Sequence, residues 1–229
     1  AVASGCPVLV KPAKDTPLSC KSFVEILYEA GLDERWCRFV PCSNDVAEQM
    51  VIDSRTAFFS FIGSARVGWM LRSKLAPGTR LALEHGGAAP VLVDEGVASG
   101  KVIPPLLKGG FYHSGQVCVS VQRVFVPRAE LPDFAAELAE GAEALTVGDP
   151  TKAETQCGPL IRPAEVDRVA SWVDAAVQGG ARLAAGGKRM GSTLYQPTVL
   201  VDPPCDADVS QKEVFGPVVC IYGYDDVDA

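Results

Sequence analysis

No stretch of this sequence gathers more than two basic residues together, and the whole carries a formal net charge of −7. That balance argues against nucleic acid and against an anionic membrane surface as partners. No apolar run is long enough to span a bilayer. The opening AVASGCPVLVK lacks a charged segment ahead of its apolar residues, so it does not read as a secretion signal. Histidine is scarce. Only His85 and His113 occur, neither at ligand spacing from a cysteine, and no metal site is expected. The eight cysteines, at 6, 20, 37, 42, 118, 157, 205 and 220, include no CxxC pair and sit mostly within apolar runs. Such spacing points to reduced thiols and a cytoplasmic setting. The dinucleotide fingerprint GxGxxG is absent as well. The chain has no initiator Met, and its last residues, YGYDDVDA, follow directly on an apolar run. Both ends suggest part of something longer.

What is present has the composition of a globular protein, 48% hydrophobic and 21% charged. Strand-length apolar runs alternate with helix-length amphipathic ones. PVLVK reads as a buried strand, and Thr16-Pro17 as an N-cap with proline at the first helical position before a helix that stops at Gly31. CRFVPC, TAFFSFIGS, TRLALEHGG and PVLVD read as strands, with DVAEQMVID and ARVGWMLRSKL as helices between them. Residues 96–107 read as helical in part, VQRVFVP as a strand and RAELPDFAAELAEGAEAL as a helix. RPAEVDRVASWVDAAVQGG is the clearest helix, with Val166, Val169, Trp172, Val173 and Ala176 on one face. ARLAAGG, QPTVLVD and FGPVVCIYGY are strands. This alternation predicts βαβ units, hence an α/β fold with a largely parallel sheet.

Three short stretches carry chemistry. In FIGSARVG a buried strand ends and Gly63-Ser64 opens a helix, whose free N–H groups suit an anion such as a pyrophosphate; an ordinary βα turn is the competing reading. In LEHGG, Glu84 closes a strand at the edge where open α/β sheets place their chemistry, so it is a candidate general base or a plain surface glutamate. In GQVCVSVQR, Cys118 stands in a polar break between apolar segments. A thiol attacks only as thiolate and needs access and polar support. Gly115 allows close backbone approach, and Gln116 keeps the surface polar. A small buried hydrophobe is the other reading of an isolated cysteine.

FIGSARVG, LEHGG, GQVC and EVFGP, in this order, strongly resemble the aldehyde dehydrogenase superfamily, whose patterns are a KP turn, FTGS, LELGG, GQxC and E-[IV]-FGP. GDP, GPLI, GGKR and PTVL fit too, so the resemblance covers essentially the whole chain. VCVSVQR is most similar to the branch of lactaldehyde and related short-aldehyde dehydrogenases. The resemblance implies a Rossmann-like NAD(P)-binding part in residues 1–85 and an incomplete catalytic, thiol-bearing part in residues 86–229. It implies NAD(P)-dependent oxidation of a small-molecule aldehyde to a carboxylic acid. Cys118 would form a thiohemiacetal and then a thioester, and Glu84 would activate the hydrolytic water. Lys11 matches the lysine at the adenosine ribose, Gly63 and Ser64 the pyrophosphate turn, Glu213 the carboxylate on the nicotinamide ribose, and Phe215 a residue that positions the nicotinamide. The full-length form would be a homo-oligomer.

Departures sharpen the expectation. Lys14 stands where NAD-preferring relatives often carry Glu, so tolerance of NADP is expected, with a solvated lysine at a helix start the alternative. Ile62 replaces Thr beside the pyrophosphate turn, and His85 replaces Leu beside the base, where a histidine bonded to nearby backbone is expected. Val117 replaces the Arg of relatives that use anionic aldehydes and tilts the expectation away from phosphate- or phosphonate-bearing substrates. By the same resemblance, the family's oxyanion-holding asparagine would lie upstream of Ala1. A catalytically silent truncated module with an assembly or binding role is therefore the alternative function, and a cofactor-independent thiol esterase a third.

Overall fold

The computed structural model describes residues 1–227. The chain divides into two compact units, Ala1–His85 and Gly86–Ala229. The first unit is made of short βαβ pieces. Strand β1 (Val8–Val10) leads through helix α1 (Pro17–Glu29) to β2 (Cys37–Phe39), which pairs parallel with β1. Helix α2 (Asn44–Ile52) follows, its N-terminus capped by the Ser43 side chain, which accepts from the Val46 N–H. Strand β3 (Phe58–Ile62) then passes through α3 (Ala65–Arg72) to β4 (Arg80–Glu84), again a parallel pair. Proline begins α1 as its fixed φ favours, and Gly31, at φ +95, follows its end. The apolar interior of this unit is thin: Val24, Cys37 and Val51 are buried, while Phe23, Ile26 and Trp69 are exposed.

The second unit has a five-stranded sheet in the order β5-β6-β9-β8-β7, built from β5 (Ala89–Leu92), β6 (Val121–Pro127), β7 (Arg182–Ala185), β8 (Thr198–Val201) and β9 (Val218–Tyr224). All its neighbours pair parallel except β7, which runs antiparallel to β8. Helices α4 (Ser99–Phe111) and α5 (Leu131–Glu143) cover one face; α6 (Pro163–Gln178) and the short α7 (Asp208–Gln211) cover the other. The strands show why. Val199, Val201, Val219 and Ile221 point into the α4/α5 core, and their alternates Leu200, Val218 and Cys220 into the α6 core. Both faces of β8 and β9 are therefore apolar, as a sheet covered on two sides requires. The predicted face of α6 is buried at Val166, Val169, Val173 and Ala176. Trp172 instead sits at its margin, with the Arg168 guanidinium 4.7 Å above its ring.

Helix α4 runs through Pro104 and Pro105 and extends to Phe111, beyond the predicted partial helix. Each proline removes a helical N–H, but Ile103, Leu106 and Phe111 are buried and hold the helix against the sheet. No helix among the described residues is long and apolar enough to cross a membrane.

Candidate active site

In the first unit the parallel pairing of β3 and β4 puts Ile62 opposite Glu84. Both strands thus end at one edge, where the Gly63 N–H donates to the Glu84 carbonyl at 3.2 Å. Ser64 begins α3, its carbonyl accepting from the Val67 and Gly68 N–H groups, while its hydroxyl makes no capping bond. A Cβ on Gly63 would lie 2.7 Å from the tip of the Phe61 ring. The fold therefore brings Gly63, Ser64 and the exposed Glu84 together at a helix N-terminus. Lys11, half-buried, and Lys14, exposed, lie on the turn between β1 and α1.

His85 does not make the expected backbone bond. Its Nε2 is buried without a hydrogen-bond partner. The ring packs edge-on to Trp69 and against α3 at Gly68, where an added Cβ would lie 2.2 Å from Nε2. The ring is held by close packing, and Gly68 is the residue that makes room for it.

In the second unit Cys118 sits on an exposed turn between α4 and β6, closed by a 2.9 Å bond from the Ser120 N–H to the Val117 carbonyl. The approach is unusual: His113, Ser114 and Gly115 follow one another at φ 48, 58 and 70. Left-handed non-glycine residues cost on the order of 1 kcal/mol or more each and persist only where neighbours impose them. Here the neighbours are evident. The buried Ser114 hydroxyl donates to the Gly158 carbonyl at 2.6 Å and receives the Cys157 thiol at 3.4 Å. Gly115 lies against the Gly216 backbone, so that a Cβ would come within 2.0 Å of the Gly216 oxygen. Gln116 is no mere surface polar group. Its amide nitrogen donates to the carbonyls of His113 and Pro159, at 3.1 and 3.2 Å, and its oxygen accepts from the Ile161 N–H at 2.9 Å. It clamps the turn that carries Cys118 to the GPLI segment.

Exposure alone does not single out Cys118, because Cys6 and Cys205 are exposed too. What separates it is the anchored turn. Cys157 and Cys220 are the opposite case: burial pushes both thiols up, Cys220 to about 12.

Glu213 and Phe215 lie on the segment between α7 and β9, and with Gly87, Gly115, Val117 and Gln122 they line a narrow crevice. The Glu213 carboxylate is packed so close to Gly86 that a Cβ there would collide with Oε1 at 1.5 Å. Burial raises its pKa, opposed by the Gly87 N–H and more weakly by Arg168. Its Oε1 is buried with no donor. Phe215 is at φ 46 and is 42% exposed.

Several residues around the crevice are assigned no role by the sequence reading. Arg123 donates from Nε and Nη2 to the Ala88 carbonyl, at 3.0 and 2.8 Å, and so secures the turn after the paired glycines. Arg168 Nη2 donates to the Val214 carbonyl at 2.7 Å. Gln122, at the crevice, is 4% exposed and makes one bond to α7, at Val209, and two to the segment that carries Glu213, at Lys212 and Val214. A polar residue in the apolar run VSVQRVFV was the available clue to it.

Known proteins bear on this arrangement. The model of the "Aldehyde dehydrogenase family" matches residues 1–229. A 3-sulfolactaldehyde dehydrogenase of Priestia megaterium is 37% identical over 229 residues, covering 100% of this chain and 48% of the relative. A Mycobacterium tuberculosis aldehyde dehydrogenase complexed with NAD+ has 31% identity and a TM-score of 0.93 over 98% of this chain and 47% of that one. A glyceraldehyde-3-phosphate dehydrogenase from Methanocaldococcus jannaschii, complexed with NADP, has 29% identity and a TM-score of 0.93 over 99% of this chain and 50% of that one. The chain spans about half the length of the relatives it matches. With the motif order, the α/β fold and a family match over the full sequence in agreement, the chain belongs to the aldehyde dehydrogenase family.

Proposed function

We propose that the chain supplies the nucleophile, the hydrolytic base and most of the cofactor contacts for NAD(P)-dependent oxidation of an aldehyde to a carboxylic acid. The observation that carries this reading is Cys118 on a turn approached through Gly115, which packs on Gly216 of the segment bearing Glu213 and Phe215. Residues 1–85 act as part of the NAD(P)-binding domain and residues 86–229 as the catalytic domain.

The donor set fits a dinucleotide. Glu213 Oε1 is a buried acceptor awaiting a donor, as a ribose hydroxyl would be. The Gly63-Ser64 turn offers N–H groups at the start of α3 to a pyrophosphate. Lys11 serves the adenosine ribose, Lys14 a 2′-phosphate where one is present, and Phe215 the nicotinamide face. NAD(P)+, when bound, supplies the hydride acceptor. The Cys118 thiolate attacks the carbonyl carbon and forms a thiohemiacetal, which becomes a thioester once hydride is lost. Glu84 takes a proton from the attacking water; the C–S bond breaks, the acid leaves and Cys118 returns as thiolate.

The substrate is a small aldehyde. The uncharged Val117 beside the nucleophile offers no cation at that position to an anionic one. A reducing, cytoplasmic setting suits the free cysteines.

The test is a pair of variants in the protein that contains this chain. Cys118→Ala abolishes aldehyde-dependent reduction of NAD(P)+. Glu84→Gln leaves a single stoichiometric burst of reduction and a turnover slower by about 10²-fold or more. Steady turnover that survives Cys118→Ala overturns the reading.

A further inference from the structure

The segment that carries Glu213 lies between the end of α7 at Gln211 and the start of β9 at Val218, so no helix or strand ladder fixes it. Among the described residues, backbone bonds reach only its two ends, from the Lys212 N–H to the Asp208 carbonyl and to the Gly216 and Pro217 carbonyls, so the middle of the segment is held by side chains. Gln122 does most of this. Nε2 donates to the carbonyls of Val209 and Lys212, at 2.9 and 2.7 Å, and Oε1 accepts from the Val214 N–H at 2.8 Å. A carboxamide has two donors and one acceptor oxygen, and here each is used. Arg168 donates to the Val214 carbonyl from the other side, so both backbone polar groups of Val214, the residue after Glu213, are held by side chains. Phe215, next along, is in the left-handed region.

A bulge brings Gln122 into place. In the pairing of β6 with β5, Ala89 faces Val121 and Pro90 faces Arg123, which leaves Gln122 opposite no residue. Val121, Val124 and Val126 then share the α4/α5 core, and Gln122 is turned toward the segment with Glu213.

We propose that Gln122 is a positioning residue for cofactor capture: its carboxamide holds the 209–214 segment so that the Glu213 carboxylate stands ready for a ribose hydroxyl. This rests on the role given to Glu213 above, and the experiment keeps the two apart.

Gln122→Met preserves length and removes all three bonds. In the protein without cofactor, hydrogen exchange at the Val214 amide becomes at least tenfold faster, while amides of α6 and β8 keep their protection. In calorimetric titration with NAD+ and with NADP+, affinity falls at least tenfold in Gln122→Met and in Glu213→Gln, and the double variant loses no more than the weaker single one. Unchanged exchange at Val214 overturns the proposal, as does unchanged affinity in Gln122→Met when Glu213→Gln has lost it. Full additivity in the double variant also overturns it, because Gln122 would then not act through Glu213. If Glu213→Gln binds normally, the role of Glu213 falls, and with it the capture step; the exchange result still reports whether Gln122 anchors the segment. Should Gln122→Met fail to fold, Gln122→Glu takes its place. It keeps an acceptor for Val214 but loses both donors, and an affinity equal to that of the parent overturns the proposal.

Discussion

The α-carbon of Gly115 lies so near the Gly216 carbonyl that a single added methyl would stand 2.0 Å from its oxygen. Two segments about a hundred residues apart in sequence thus approach closely, backbone to backbone, at these two glycines. One leads to Cys118, and the other carries Glu213 and Phe215. Gly96 provides an internal control: its φ of +71 is nearly that of Gly115, at +70, yet nothing lies within 4 Å of its added Cβ. Gly96→Ala should cost about 1 kcal/mol, from its backbone conformation alone. Gly115→Ala should cost about 1–3 kcal/mol more, from the forced separation of the two segments. Urea unfolding of both variants checks this, and equal losses would mean that the close approach is unimportant.

Glu213 predicts a trade between stability and binding. Its folded pKa is raised by burial above the 4.5 of an ordinary glutamate. The protonated form is therefore favoured in the fold. The stability it contributes is fully present below the unfolded pKa and is lost as pH rises through the raised folded one. Glu213→Gln removes that loss. At pH 7 its urea midpoint should lie above the parent's, its stability should change less with pH just above the ordinary glutamate range, and its cofactor affinity should fall. A lower midpoint at pH 7 would contradict this.

Gln116→Leu leaves the Ile161 N–H and two carbonyls without their partner. A stability loss of about 1–2 kcal/mol is expected. Because the clamp acts on the Cys118 turn, the role proposed for Cys118 requires that kcat fall while KM for NAD(P)+ stays near the parent's. Steady-state kinetics separates the two.

How much of this was readable in the residues varies by element. The face of α6 was clear because valines at helical spacing have no competing interpretation, and all but the marginal Trp172 are buried. The GQVC break was readable as an accessible thiol, since Gly-Gln interrupts an apolar run. The work of Gln116 was not, because its partners lie more than forty residues away, in GPLI. Gln122 was hidden by the bulge: strict alternation groups it with Val124 and Val126, and the slipped register with β5 breaks that grouping. The left-handed conformations of His113 and Ser114 could not be read from residue type, because tertiary contacts impose them. His85 was misread for a similar reason, its packing depending on Gly68 one strand and one helix away.

Lys14, exposed on the turn before α1, tests the cofactor preference. Lys14→Glu should weaken NADP+ binding several-fold more than NAD+ binding. The parent's affinity for NADP+ should fall between 50 and 500 mM salt more steeply than that for NAD+, as screening of a phosphate contact requires. Parallel salt dependence for the two cofactors would make Lys14 a solvated residue with no part in the choice.

The central claim is that Cys118 carries the substrate covalently. The most direct measurement is acid quenching during turnover of Glu84→Gln with a short aldehyde and NAD(P)+, followed by peptide mass spectrometry. The account predicts the acyl mass on the peptide containing Cys118, and on no peptide containing Cys6 or Cys205. Aldehyde-dependent reduction with an unmodified Cys118 peptide throughout would contradict it.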